Sequence, residues 1–226
     1  MRTLKACLFD LDGVIVDTAR YHFLAWKQLA EQLGIDFTEE HNELLKGVSR
    51  MRSLDIILEI GGKTLSEEEK TALANKKNEV YLEYILKMDE SEILPGVKSF
   101  ITELKNNHIR VALGSASKNA RLILKRLNIE NLFDAVIDGN KVSEAKPDPE
   151  VFLNGAAELQ VEPEACVVFE DAVAGIEAAQ NAGMFCVGIG DITILKKANL
   201  VIPGFADFNL EKLQACMQED SYLHVK

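Results

Sequence analysis

"KACLFDLDGVIVDT", residues 5–18, sets a nearly continuous apolar run, Leu4 and Ala6 to Phe9, directly before two acids, Asp10 and Asp12. A run of that kind, broken only by Lys5, suits a strand buried on both faces of a parallel sheet. Gly13 ends the strand, so both acids fall at its carboxyl end, where open α/β sheets place their ligands. Two carboxylates this close repel each other. They call for a cation, or for a division of labour in which one stays ionised and the other carries a proton. The spacing alone is equally that of an exposed acidic turn, so the rest of the chain has to decide.

From residue 93 onward the pattern alternates. Pro95 and Gly96 open a helix, then come the strand "IRVALG", a helix from about Asn119, the strand "DAVIDG", a helix after Pro149, the strand "CVVFED", a helix through Ala182 and the strand "FCVGIG". This alternation implies an α/β fold with a doubly wound parallel sheet and right-handed crossovers. Between the first strand and residue 93 the chain is helical in character and has no convincing strand. The economical division is a catalytic α/β core, residues 1–16 and 91–226, carrying a helical cap at 17–90. An insert there sits above Asp10 and Asp12, placed to act as a lid.

With 226 residues and 47% hydrophobic composition the chain has ample core for such a fold. A net charge of −11 argues against a nucleic-acid or anionic-membrane partner, so an anionic substrate requires a local basic cluster. The four cysteines lie in apolar or helical stretches without C-x-x-C spacing, and no segment approaches a membrane span. The expectation is a cytoplasmic protein with buried thiols.

Three other strand ends bring polar residues to the same edge. "IRVALGSASKN" delivers Ser115, Ser117, Lys118 and Asn119; the loop after "DAVIDG" delivers Lys146, before Pro147; "CVVFED" delivers Glu170 and Asp171. Four carboxylates at two strand ends make an oxygen-rich site suited to Mg²⁺. Ser115 and Lys146 add a hydroxyl and a point charge for phosphate oxygens.

The motifs "DLDG", "SAS", the Lys before Pro147 and "ED" resemble the four motifs of the haloacid dehalogenase superfamily, over essentially the whole chain. The segments "DTARYHFLAWKQLA", "KGVSR", "KKN" and "SASKN" resemble those of phosphosugar mutases within it. The resemblance implies that Asp10 is a phosphoryl-accepting nucleophile and Asp12 the general acid and base. It implies that the metal binds Asp10, the carbonyl of Asp12 and Asp171, with Glu170 in or near the shell, while Ser115 and Lys146 hold the transferring phosphate. Substrate contacts are implied at Thr18, His22, Trp26, Lys46, Gly47, Val48, Ser49, Arg50, Lys77, Ala116, Ser117, Lys118 and Asn119. Arg50 supplies a planar fork for a second phosphate. His22 and Trp26 share one helical face; for Trp26 the alternative is lid packing, and for Lys77, in Asn-Lys-Lys-Asn, it is a solvated face.

The expected activity is interconversion of β-D-glucose 1-phosphate and glucose 6-phosphate by a monomer, through an aspartyl phosphate and a bound bisphosphate. A Mg²⁺-dependent sugar-phosphate phosphatase is the enzymatic rival. A non-catalytic phosphosugar-binding regulator fits less well, because both acids are intact. "GGKT" at 61–64 is no phosphate loop, since the first glycine of that motif falls on Ile57 in a helical context. Arg20 stands where close relatives are expected to carry an acid, so a difference in hinge electrostatics is expected.

Overall fold

The computed structural model describes residues 3–45 and 48–223, so Lys46 and Gly47 lie outside the described residues. Its centre is a six-stranded parallel sheet in the order β3-β2-β1-β4-β5-β6. The strands are β1 (Ala6–Phe9), β2 (Arg110–Gly114), β3 (Ala135–Ile137), β4 (Cys166–Glu170), β5 (Phe185–Ile189) and β6 (Leu200–Ile202). β1 pairs with β2 on one side and β4 on the other, Phe9 lying opposite both Leu113 and Phe169. That register brings the ends of three strands level, and the strand order reverses direction there, which opens the crevice.

The greasy run at 6–9 is buried on both faces, as a central parallel strand must be. Cys7 and Phe9 enter the cluster that includes Val111, Leu113, Val167 and Phe169, while Ala6 and Leu8 enter the one on the opposite face. Helices α5 (Val97–Asn106), α6 (Ala120–Arg126) and α9 (Leu210–Leu223) pack on the first face, and α7 (Glu150–Leu159) and α8 (Val173–Asn181) on the second. β6 is absent from the sequence reading. It is three residues long and only Ile202 is buried, so it carries too little pattern to register.

Among the described residues, four α-helices lie in the interval between β1 and α5: α1 (Ala19–Gln32), α2 (Glu39–Glu43), α3 (Arg50–Ile60) and α4 (Glu67–Ile85). They close on a separate core of Trp26, Leu29, Phe37, Leu54, Ile57 and Ala74 with their neighbours. This is the helical insert the strand pattern called for. Two strands of chain join it to the sheet domain, linked by the Val16–Ile93 bridge and by Leu94 N–H donating to Ile15 O at 3.0 Å. Among the described residues no helix is long and apolar enough to cross a membrane.

Candidate active site

β1 places Asp10 by running out of sheet. The Asp10 N–H makes a last bond to Phe169 O at 2.9 Å, after which the chain turns, with Gly13 N–H on Val16 O and the amides of Ile15 and Val16 on Leu11 O. Gly13 has φ +77°, and a Cβ there would lie 2.1 Å from Asp171 Oδ2. The glycine is therefore required twice, for the turn and for the approach of the β4 end. Gly175, inside α8, serves only a close approach: an added Cβ would lie 2.1 Å from Glu170 Oε2.

Lys146 enters from the loop before α7 and lies under the acids. Its Nζ donates to Asp10 Oδ1 at 2.6 Å, Glu170 Oε2 at 2.8 Å and Gly114 O at 3.3 Å, so all three protons are placed. Burial works against its charge, but Asp10 and Glu170 outweigh that and hold the ammonium charged. Glu170, fully buried, is pushed up to about 8 by burial, with Lys146 opposing and Asp10 and Asp171 adding to the rise. Its second oxygen accepts from Ala172 N–H at 3.1 Å.

Asp10, Glu170 and Asp171 each present a carboxylate oxygen within 4.8 Å of the others. A set of hard anionic oxygens at that separation fits a hard divalent cation with room for water. The carboxylate of Asp12 is outside this set. It turns toward the insert, where Oδ1 accepts a hydrogen bond from the Thr18 hydroxyl. Burial and the charge of Asp10 push Asp12 up to about 8, with Lys146 and Lys77 pulling the other way. The two acids are thus separated in role by environment: one against an ammonium, the other holding its proton near neutral pH.

A cavity of about 540 Å³ lies between this edge and the insert, and Asp10, Asp12, Asp171 and Ser115 form its floor. Ala116, Ser117, Lys118 and Asn119 border it from the loop after β2. Ser115 is almost fully buried, its Oγ accepting from Ser117 N–H at 3.1 Å. From the insert come His22 and Trp26 on α1, Val48, Ser49 and Arg50 at the start of α3, and Lys77 on α4. Ser49 caps α3, accepting from Arg52 N–H, and Arg50 is the first residue of that helix.

Lys77 is not on a solvated face: it is 2% exposed. Helix α4 carries the stripe Ala74, Lys77, Tyr81, Ile85, the spacing of one buried helical face. Its Nζ lies 2.8 Å from His22 Nδ1 and 4.5 and 4.7 Å from the ring centres of Trp26 and Tyr81. Burial, then Arg50, lower Lys77 to about 7, and burial followed by Lys77 and Arg50 drive His22 well below its usual value. Both shifts favour a neutral His22, with Nδ1 facing the Lys77 nitrogen. Trp26 has both suggested positions at once, packed in the insert core and bordering the cavity. Thr18 is completely buried and does not border the cavity, since its hydroxyl is committed to Asp12.

The sequence reading missed Asn42 and Ser53, both buried on the cavity wall, and Asn78, whose Oδ1 accepts from Asn119 Nδ2 at 2.8 Å across the interface of insert and sheet domain. The α4 stripe was the available signal for this face, because a lysine inside it has no reason to be there unless something polar faces it.

A doubly wound sheet with an acidic, lysine-backed edge and a helical roof is the architecture of one class. The chain belongs to the haloacid dehalogenase-like hydrolase family, whose pattern it matches over residues 4–183. It is 46% identical over 212 residues to β-phosphoglucomutase of Bacillus subtilis (strain 168), covering 93% of this chain and 94% of that one. The crystal structure of β-phosphoglucomutase from Clostridium difficile superposes with a TM-score of 0.94 at 46% identity, covering 97% of this chain and all of that one. A phosphorylated carbohydrates phosphatase of Thermotoga maritima is 36% identical over 186 residues, 80% of this chain and 82% of that protein.

Proposed function

We propose that the protein is a β-phosphoglucomutase, interconverting β-D-glucose 1-phosphate and glucose 6-phosphate. One observation carries the choice of mutase. Arg50, Lys77 and Lys118 face the same cavity as the floor acids, and among the described residues none of the three forms an ion pair. Cations gathered without carboxylate partners in an acidic protein are a site for an anion, and the floor already has its own lysine. A sugar bisphosphate meets both ends: one phosphate reacts at Asp10 while the other rests against the roof.

Residues 17–90 act as a cap on a core of 1–16 and 91–226. Asp10 attacks the phosphorus and becomes the aspartyl phosphate, with Ser115 and Lys146 on the transferring oxygens. Asp12, held protonated near neutral pH, gives its proton to the leaving sugar oxygen and takes one from the hydroxyl that attacks next. Asp10, Asp171 and the carbonyl of Asp12, with Glu170 behind them, would hold Mg²⁺, whose charge would offset the repulsion between Asp10 and the incoming phosphate. Arg50, with Ser117, Lys118 and Asn119, binds the distal phosphate; His22, Trp26, Val48, Ser49 and Lys77 contact the sugar or its phosphate.

The similarity to a carbohydrate phosphatase supports one alternative, in which water discharges the aspartyl phosphate. Incubation with β-glucose 1-phosphate, Mg²⁺ and a trace of β-glucose 1,6-bisphosphate separates the two. Accumulation of glucose 6-phosphate is the expected result, and stoichiometric free phosphate would establish the phosphatase instead.

A further inference from the structure

Tyr81 stands on α4 where the insert meets the neck, and its side chain is fully enclosed. The ring is well used. The His22 ring centre is 4.1 Å from it and the Lys77 ammonium 4.7 Å. The hydroxyl is not: it completes no hydrogen bond, alone in this among the buried side-chain polar atoms described. Phenylalanine would supply the same ring and volume without an orphaned donor, so packing does not account for the oxygen.

Its surroundings do. The hydroxyl lies against Thr18 and within the field of Asp12. Thr18 is itself wholly enclosed and donates its single proton to Asp12 Oδ1. A threonine hydroxyl has one proton and two lone pairs, so this one retains acceptor capacity in a place water does not reach. Tyr81 is an enclosed donor without an acceptor, next to an enclosed acceptor without a donor.

We infer that Tyr81 is a positioning residue for proton transfer: in the substrate-bound state its hydroxyl donates to Thr18 Oγ1, and Thr18 in turn fixes Asp12 by Oδ1. The free oxygen, Oδ2, then carries the proton. As Asp10 forms its bond to phosphorus, the bond from phosphorus to the sugar oxygen breaks, and that oxygen takes the proton from Asp12 Oδ2. A chain of two hydrogen bonds polarises in one direction and holds the carboxyl plane toward the cavity. The inference rests on Asp12 being the acid and base of the proposed function.

The test uses Tyr81→Phe and two phosphoryl donors to Asp10. The leaving group from β-glucose 1,6-bisphosphate is the alkoxide of a glucose monophosphate, which needs the proton; that from acetyl phosphate is acetate, which does not. Single-turnover phosphorylation by the bisphosphate is expected to slow about tenfold, the worth of one aligned hydrogen bond. The acetyl phosphate rate and the bisphosphate dissociation constant are expected to stay within about twofold, and the melting temperature to hold or rise because an orphaned donor is gone. In a Thr18→Val background the further change Tyr81→Phe is expected to have no effect on the bisphosphate rate. Equal slowing with both donors, a lowered melting temperature, or additivity in the double variant would assign Tyr81 a packing role, and an unchanged bisphosphate rate would leave the hydroxyl without function. The acceptor that discharges the aspartyl phosphate, sugar or water, is read separately, so a phosphatase outcome leaves this result interpretable.

Discussion

At the floor of the cavity Lys146 is enclosed with two carboxylates, 2.6 and 2.8 Å away. In the roof Lys77 is just as enclosed, but its neighbours are an imidazole, two aromatic rings and the nearby Arg50. The same side chain is held charged in one place and pushed toward neutrality in the other. The floor is complete without ligand: its charges offset one another and fix Asp10 in place. On the proposed function, the roof is complete only when a phosphate arrives. Burial therefore stabilises geometry below and creates affinity above, and the same substitution in the two places should act with opposite sign.

The largest effect is expected from Lys146→Met. Removing one partner of a buried ion group leaves Asp10 and Glu170 facing each other, a loss of about 3–5 kcal/mol in the stability of the metal-free protein. Chemical denaturation with and without Mg²⁺ measures it, and the ion is expected to restore more stability to the variant than to the wild type because it substitutes for the missing ammonium. A variant as stable as the wild type would mean that the floor is not held by these pairs.

Next comes Arg50→Ala, which acts on ligand and not on the fold. Losing a charge-assisted contact to the distal phosphate is expected to cost about 2–4 kcal/mol, or roughly 30- to 1,000-fold in mutase kcat/KM. Phosphorylation of Asp10 by acetyl phosphate, which has no second phosphate, should change little, and Arg50→Lys should recover only part of the loss. Equal losses with both donors would place Arg50 in general closure of the roof.

Lys77→Met reverses the sign seen at Lys146. It removes an ammonium that forms no ion pair and whose nearby carboxyl, Asp12, is itself held protonated near neutral pH, and it leaves an apolar chain on Trp26 and Tyr81, so the ligand-free protein should become more stable. The pH dependence follows from the depressed value of about 7. At and below pH 7 the wild type carries the full cost of the buried charge. Between pH 7 and the ordinary lysine range the folded protein has shed that proton while the unfolded chain still binds it, so wild-type stability rises. The advantage of Lys77→Met should therefore be largest at or below pH 7 and shrink as pH climbs. Melting curves of both proteins from pH 6 to 9 test this, and an advantage that grows with pH would contradict the buried, unpaired lysine.

The floor was legible in the sequence because strand ends gather it. Asp10, Ser115 and Glu170–Asp171 each close an apolar run of four to six residues, and a parallel sheet aligns such ends by register without further information. Lys146 came with its position before Pro147. The roof was less legible because helices decide it by docking. Arg50 and Lys77 emerged through resemblance, but whether Lys77 met solvent or substrate depended on which face of α4 turned inward. Asn42, Ser53 and Asn78 carry no local pattern at all, since a polar residue on a helix reads as surface until a second element covers it. Tyr81 belonged to the same stripe as Lys77, and β6 was too short to display a period.

The smallest effect is expected at the neck joining the two regions, where Arg20 departs from the acid expected at that position. Arg20 Nη2 pairs with Glu92 and donates to Tyr21 Oη at 2.7 Å, while Tyr21 donates to Glu92 Oε1 at 2.6 Å. Tyr21 also stacks on Tyr84, centroids 5.4 Å apart. This cluster ties the first turn of α1 to the segment that returns from α4, just above the Val16–Ile93 bridge, and so stiffens both strands of the neck against opening. Arg20 is solvent-exposed, so the pair is weak and screened by salt. Arg20→Glu is expected to loosen the neck and produce a small rise in the rate at which bisphosphate escapes during turnover, read as a higher requirement for added bisphosphate. Raising ionic strength should move the wild type toward the variant and leave the variant nearly unaffected. The charge swap Arg20→Glu with Glu92→Arg should restore the wild-type requirement, and failure of the swap to do so would mean that the neck is held by Tyr21 and the backbone bridge, with the ion pair incidental.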